Sequence, residues 1–246
     1  MKSNLQVRRS ILICILLVGI GMYLLIKPAQ LSLTSEKEEW KSTLQKGETL
    51  IDGVREGGYA YLITSREGRT DYGDLLVVLE SEDNTWKRIY DNDFAELHPW
   101  KIEVADVDGD GTKDLVTAVT KTAHYDKTMK NRLFVFDYLN GILVKKWVGS
   151  KFDGTWKDFT TGDLLPIPGE ELIFTEQVGD DKNKLSIYYW FDFGFIKLAE
   201  SEDYKEIISL SIIDKNRIQI TYDKSHKYKA QLSVKDGKII QVKEGS

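Results

Sequence analysis

A hairpin-like stretch that begins at Trp100-Lys101 returns at Trp156-Lys157, and laying Asp163 over Asp106 brings Glu171 onto Asp114 and Leu172 onto Leu115 without a gap. A recurring unit constrains a fold more tightly than any single segment, because it can bury its apolar face only against its neighbours. Further strand–turn–strand patterns fill in the period. "DLLVVLESEDNTWKRIY", "RLFVFDYLNGILVKKWV", "KLSIYYWFDFGFIKLAE" and "AQLSVKDGKIIQV" each read as two strands about a turn, with Asn140-Gly141 and Asp236-Gly237 as the strongest turn signals. Each follows another strand pair: "ETLIDGV" with "YAYLITS", "KIEVADV" with "DLVTAVT", "WKDFTTG" with "ELIFTEQ", and "EIISLSI" with "RIQITYD". The expectation is an all-β domain over 47–246, a small β-propeller of about four four-stranded blades at 47–99, 100–154, 155–204 and 205–246. Leu62, Val116, Phe134, Val135, Ile173 and Ile218 are the expected shared core.

Between the first two strands of the second unit lies "DVDGDGTKD", with Asp106, Asp108, Asp110 and Asp114 at relative positions 1, 3, 5 and 9 and Gly111 at position 6. Carboxylates this close repel unless they are solvated, hydrogen-bonded or met by a cation. The spacing is that of a loop wrapping a hard, oxygen-seeking ion such as calcium, with Thr112 offering its backbone carbonyl at position 7. An EF-hand is excluded, because position 12 is Thr117 rather than a glutamate and the flanks read as strands. In the third unit Leu165 and Ile167 replace the acids of positions 3 and 5, and Pro168 replaces the glycine. One Ca²⁺ site is therefore expected, at Asp106, Asp108, Asp110, Thr112 and Asp114, with an affinity on the order of 10⁻⁴ to 10⁻³ M.

Residues 100–148 resemble an FG-GAP or VCBS-type repeat, the blade of integrin α-subunit propellers and of many bacterial surface proteins. The loop D-x-D-x-D-G-x-x-D that joins its first two strands is matched by Asp106, Asp108, Asp110, Gly111 and Asp114 over about twenty residues. The resemblance implies a calcium-stabilised propeller blade. It does not extend to the other units, whose hairpins lack the acid loop.

The first thirty residues stand apart. Lys2, Arg8 and Arg9 precede an uncharged run of 17 residues from Ser10 to Ile26, closed by Lys27 and Pro28. That length is at the lower limit for a membrane-spanning helix, and "IKPAQLS" offers no A-x-A cleavage pattern, so the run reads as an uncleaved signal anchor. The expected order is a cytoplasmic tail (1–9), a transmembrane segment (10–26), a linker or short helical stalk (27–46) opened by a Ser35–Glu38 capping box, and an extracytoplasmic domain. Cys14, the only cysteine, falls inside the anchor, which leaves the domain without disulfides. The net charge of −5 and the absence of a basic stripe argue against a nucleic-acid partner.

Catalytic patterns are thin. His98, His124 and His226 have no motif context, and no nucleophile elbow, H-E-x-x-H or phosphate loop occurs. The connections between second and third strands and between units emerge opposite the calcium hairpin, and they gather Tyr72, Phe94, His124, Tyr125 and Phe152 as candidate contacts. Trp100 and Trp156 open their units and are expected in the core. The reading is a membrane-anchored recognition module for a protein or a cell-envelope polymer. The alternatives are a polysaccharide-active enzyme on the same scaffold and a structural subunit of an envelope complex.

Overall fold

The computed structural model describes residues 38–242 apart from 84, 140–141 and 150–151. The expected tail, the anchor at 10–26, the Ser35 cap and the Asn140-Gly141 turn lie outside the described residues. The chain divides into two compact units, Met1–Lys46 and Gly47–Ser246. In the first, residues 38–41 form one helical turn, closed by a Thr43 N–H bond to the Trp40 carbonyl (3.0 Å) and an exposed Lys41–Glu38 pair. Among the described residues no helix is long and apolar enough to cross a membrane.

The second unit is all-β. Strands β1 (Thr49–Glu56), β2 (Tyr59–Ser65), β3 (Leu75–Glu82) and β4 (Thr85–Asp93) form one antiparallel meander, and β5 (Pro99–Ala105), β6 (Asp114–Lys121), β7 (Lys130–Leu139) and β8 (Ile142–Val148) form a second. The third consists of β9 (Trp156–Gly162), β10 (Glu171–Val178), β11 (Lys182–Phe191) and β12 (Gly194–Ser201), with the short β13 (Tyr204–Lys205) on the end of β11. The fourth is β14 (Ile207–Asp214), β15 (Arg217–Tyr222), β16 (Tyr228–Lys235) and β17 (Lys238–Gln241). β5 opens at Pro99, inside the 47–99 range expected for the first unit, so the second meander does not start at the expected boundary of 100. β17 follows the Asp236-Gly237 turn, whose residues take φ of 49° and 73°, the geometry that lets a two-residue hairpin match strand twist.

Burial explains the order of the strands. In β6 (DLVTAVTK) and β10 (ELIFTEQV) the first six residues are buried without alternation, because each strand is covered on both faces by neighbouring sheets. The outermost strand β4 instead alternates exposed and half-buried residues, the period of a strand with one wet face. Three apolar cores result. Tyr61, Ile63, Leu76, Phe134 and Phe136 join the first and second sheets. Val116, Val135, Phe159, Leu172 and Phe174 join the second and third, and Ile173, Ile187, Ile218, Ile220 and Leu232 join the third and fourth. All six expected core residues are buried.

Two features were not expected. The outer strands β12 and β17 pair in parallel, Glu200 with Lys238 and Ser201 with Ile239, which merges the last two sheets into one nine-stranded sheet. That sheet curls until β9 and β14 meet again, so closely that a Cβ on Gly162 would stand 2.3 Å from Ile212 Cδ1. The outward face of the fourth sheet carries Gln219, Thr221, Lys229, Gln231 and Ser233, polar residues alternating with the buried Ile218, Ile220, Ala230 and Leu232. A polar outer face is how a stacked array ends without exposing its core.

Phe174 is fully buried where the second and third sheets meet. Phe174→Ala is expected to cost about 3–5 kcal/mol in urea denaturation, whereas Gln231→Ala on the wet face should stay within about 0.5 kcal/mol of the parent.

Candidate functional site

The acid loop is a strand-to-strand connection, with Ala105 of β5 paired to Asp114 of β6 at its base. Asp106 organises the turn through its carboxylate. Oδ1 accepts the N–H groups of Gly109 (2.8 Å) and Asp110 (3.1 Å), and Oδ2 accepts that of Gly111 (3.0 Å). Gly111 takes φ +88°, the turn expected at position 6. Asp110 Oδ1 accepts the Thr112 N–H at 2.7 Å and also its hydroxyl, and these bonds hold the Asp110 carboxyl below the usual range. Asp114 is fully buried, and its Oδ2 accepts the Val107 N–H at 3.2 Å. One carboxylate oxygen each from Asp106, Asp108 and Asp110 lies within 4.8 Å of the others.

A lysine enters this cluster. The register between β7 and β8 shifts where Val135 faces Trp147 and Phe136 faces Lys145, so Lys146 is the extra residue of a β-bulge, a device that re-aims a side chain. Its ammonium stands 2.8 Å from Asp108 Oδ2, 2.8 Å from Asp114 Oδ1, 3.2 Å from Asp137 Oδ1 and 4.0 Å from Asp110 Oδ2. Burial disfavours the Lys146 charge, yet Asp108 and Asp114 outweigh it and hold the ammonium above the usual lysine range. Burial and the neighbouring Asp137 push the Asp114 carboxyl up to about 7. A calcium ion takes six to eight oxygens at about 2.3–2.6 Å. Gathering them here would mean drawing Asp108 and Asp114 away from Lys146, so the residues do not fit the ion in this arrangement.

The third-sheet copy keeps the same frame without the acids of positions 3 and 5. Glu171 is buried, and its Oε2 accepts the Leu164 N–H at 2.8 Å, the bond Asp114 makes to Val107. The two loops also touch. Glu170 N–H donates to the Asp106 carbonyl at 2.7 Å, Lys113 pairs with Glu170, and one sheet further on Asn216 N–H donates to the Leu164 carbonyl at 2.8 Å. Gly109 (φ +75°) lies where a Cβ would meet Gly169 N at 2.7 Å.

Gly109→Ala therefore suffers both the left-handed backbone and a clash with fixed backbone, an expected loss of about 2 kcal/mol or more. Gly111→Ala, with open space around it, should cost about 1 kcal/mol, and comparing the two urea midpoints separates the clash from the backbone term. Burial raises the Glu171 carboxyl to about 6. With the folded value above the unfolded one, Glu171 contributes its full stability below about pH 4.5 and loses it as pH rises through about 6. Glu171→Gln keeps an acceptor for Leu164 but does not titrate, so its stability should gain on the parent's across that window.

At the opposite end of the sheets a cleft of about 500 Å³ is lined by Asp71, Tyr72, His98, Trp100, Asn131 and Lys157, among others. Its walls are set by the β2–β3 connection. Buried Asp74 accepts the Arg66 N–H (3.1 Å) and pairs with Arg66 and Arg69, whose guanidinium lies 4.8 Å over the Tyr72 ring. Gly73 N–H donates to the Pro99 carbonyl at 2.7 Å, which ties Tyr72 to the start of β5. His98 takes φ 48°, and its Nδ1 lies 3.1 Å from the Thr120 carbonyl. A carbonyl only accepts, so Nδ1 carries the proton of this bond. The His98 and Tyr72 rings are 4.5 Å apart.

The other candidate contacts are scattered. Tyr125 is 96% exposed, with His124 edge-on at 4.5 Å. Phe94 is buried against Phe136, and Phe152 is buried among Trp147, Phe174 and Tyr188, so both are packing residues rather than surface contacts. Trp156 lies in the core as expected, and Trp100 packs half-buried against it. A groove of about 870 Å³ beside Phe94 is larger than the cleft, but its Arg132 is spent on the carbonyls of Lys121 and Gly149 and on Asp126. His98 and Lys157 were missed as cleft residues in the sequence, where His98 has no motif around it and Lys157 stood out only as part of the Trp-Lys pair that marks the repeat.

No family model matches the chain, and no curated protein matches it. Among solved structures, a Bacteroides uniformis protein described provisionally as a 6-phosphogluconolactonase aligns over 79% of this chain with a TM-score of 0.50 and 8% identity. The chain spans about half the length of that protein, 54%, and the likeness is one of fold alone. A Xanthomonas protein related to a type IV secretion system aligns over 82% of this chain and 96% of its own, with 16% identity and a TM-score of 0.33.

Proposed function

We propose that the chain is a membrane-tethered recognition module. Its four sheets act as the blades of an open, propeller-like array held outside the cytoplasm by the apolar run at 10–26, and it binds a protein or a cell-envelope polymer through the cleft of Tyr72, His98 and Trp100. The observation that carries this reading is the cleft itself. Tyr72 and His98, on connections tied down by Asp74 and Gly73, stand beside Trp100, Asn131 and Lys157 at the ends of strands, a preorganised surface of the kind that recognises ligands without paying to order itself. Sequential meanders that each share a core with the next support the blade reading, and the apolar run with its flanking charges supports the tether. Calcium is not part of this proposal, because Lys146 stands among the carboxylates that would hold it.

Catalysis on a polysaccharide is the weaker reading. Asp71 is the one carboxylate among the described residues lining the cleft, whereas glycoside hydrolysis takes two on either side of the scissile bond. The test is retention of the full-length detergent-solubilised protein on cell-envelope polymer and on immobilised envelope proteins. Tyr72→Ala and Lys157→Glu are each expected to weaken retention about tenfold, the loss from a central contact, while Gln231→Ala leaves it unchanged. Retention insensitive to both cleft substitutions, or release of soluble sugar from the polymer, would contradict the proposal.

A further inference from the structure

We infer that Lys146 is the resident countercation of the acid loop, so that the hairpin between β5 and β6 folds and holds its shape without a divalent ion. In a loop of the D-x-D-x-D-G-x-x-D pattern an ion neutralises the acids, fixes the turn and ties the position-9 carboxylate to the loop's first half. Each of these tasks falls to a group of the chain itself. The ammonium of Lys146 meets Asp108 and Asp114 at 2.8 Å and Asp137 at 3.2 Å. The turn is fixed by three backbone N–H groups on Asp106. The position-9 link is the Val107 N–H bond to Asp114, and its counterpart at Leu164 and Glu171 forms in the copy that carries Leu165 and Ile167 at positions 3 and 5.

The placement of Lys146 is built in. The lysine is the bulge residue of β8 and its side chain is only 12% exposed, whereas its neighbour Lys145, which faces Phe136 in register, is exposed. An ordinary strand would send residue 146 along the regular alternation. The bulge adds one residue and aims it at the loop. The loop is also braced from outside by the Glu170 N–H bond to the Asp106 carbonyl and the Lys113–Glu170 pair, neither of which uses an ion.

The test uses the full chain and calcium chloride as the probe. A calcium site of ordinary extracellular affinity would raise the melting temperature by several degrees, about 2–8 °C, between chelator and about 5 mM calcium. The inference predicts a change below about 1 °C for the parent, with no binding heat in calorimetric titration. Lys146→Met, which keeps the length and removes the charge, should melt lower than the parent in chelator and recover part of the loss in calcium. A calcium-stabilised parent overturns the inference, as does a Lys146→Met protein that melts with the parent in chelator. If Lys146→Met does not fold, the parent's response to calcium decides alone.

Discussion

A four-stranded sheet has two faces and, by itself, nothing to cover either. In this chain the remedy is sharing: the first and second sheets close over one apolar core, the second and third over another, the third and fourth over a third. Middle strands such as β6 and β10 are apolar on both faces because each face serves a different core. Stability in such an arrangement belongs to the interfaces more than to the sheets. The cleft inherits its rigidity from the same source, since Tyr72 and His98 sit on connections, and Trp100 at the start of β5, next to strand residues that are core.

The acid-loop end shows a second layer of this dependence. Sheet-to-sheet bonds run from Asp106 to Glu170 and from Leu164 to Asn216, and Ile102 N–H reaches Asp52 of β1 at 3.0 Å. The connections of the second, third and fourth sheets thus brace one another, while Asp52 and Ile102 join the first two sheets from within their strands, and a glycine is needed where Gly109 and Gly169 touch. Lys146 then supplies the charge that the carboxylates require, drawn from the outermost strand of their own sheet.

Most of the strands were legible in the sequence, because alternation and Asp-Gly-type turns are local signals. Asp163 and Glu171 could be matched to Asp106 and Asp114 for the same reason. What escaped notice depends on distance. A parallel contact between β12 and β17 follows from the curvature of two sheets, and nothing in either strand announces it. Lys146 was hidden by register: in "ILVKKWV" either lysine fits a wet strand edge, and only the bulge decides which one turns inward. Phe94 and Phe152 were misread because they stand in connections of loop-like composition, yet the chain folds both rings into the cores between sheets. Their apolar character was the signal, and it was outweighed by charged neighbours.

Shared cores bind the fate of each sheet to the next, and the pairing of β12 with β17 makes this strongest for the last two. Native-state hydrogen exchange measures it directly, on the amides of Ile173 and Phe174 in β10 and of Ile218 and Ile220 in β15. The account predicts that these amides exchange with the same opening free energy, as members of one cooperative unit. Faster exchange of the β15 amides, through an opening that leaves β10 protected, would contradict it.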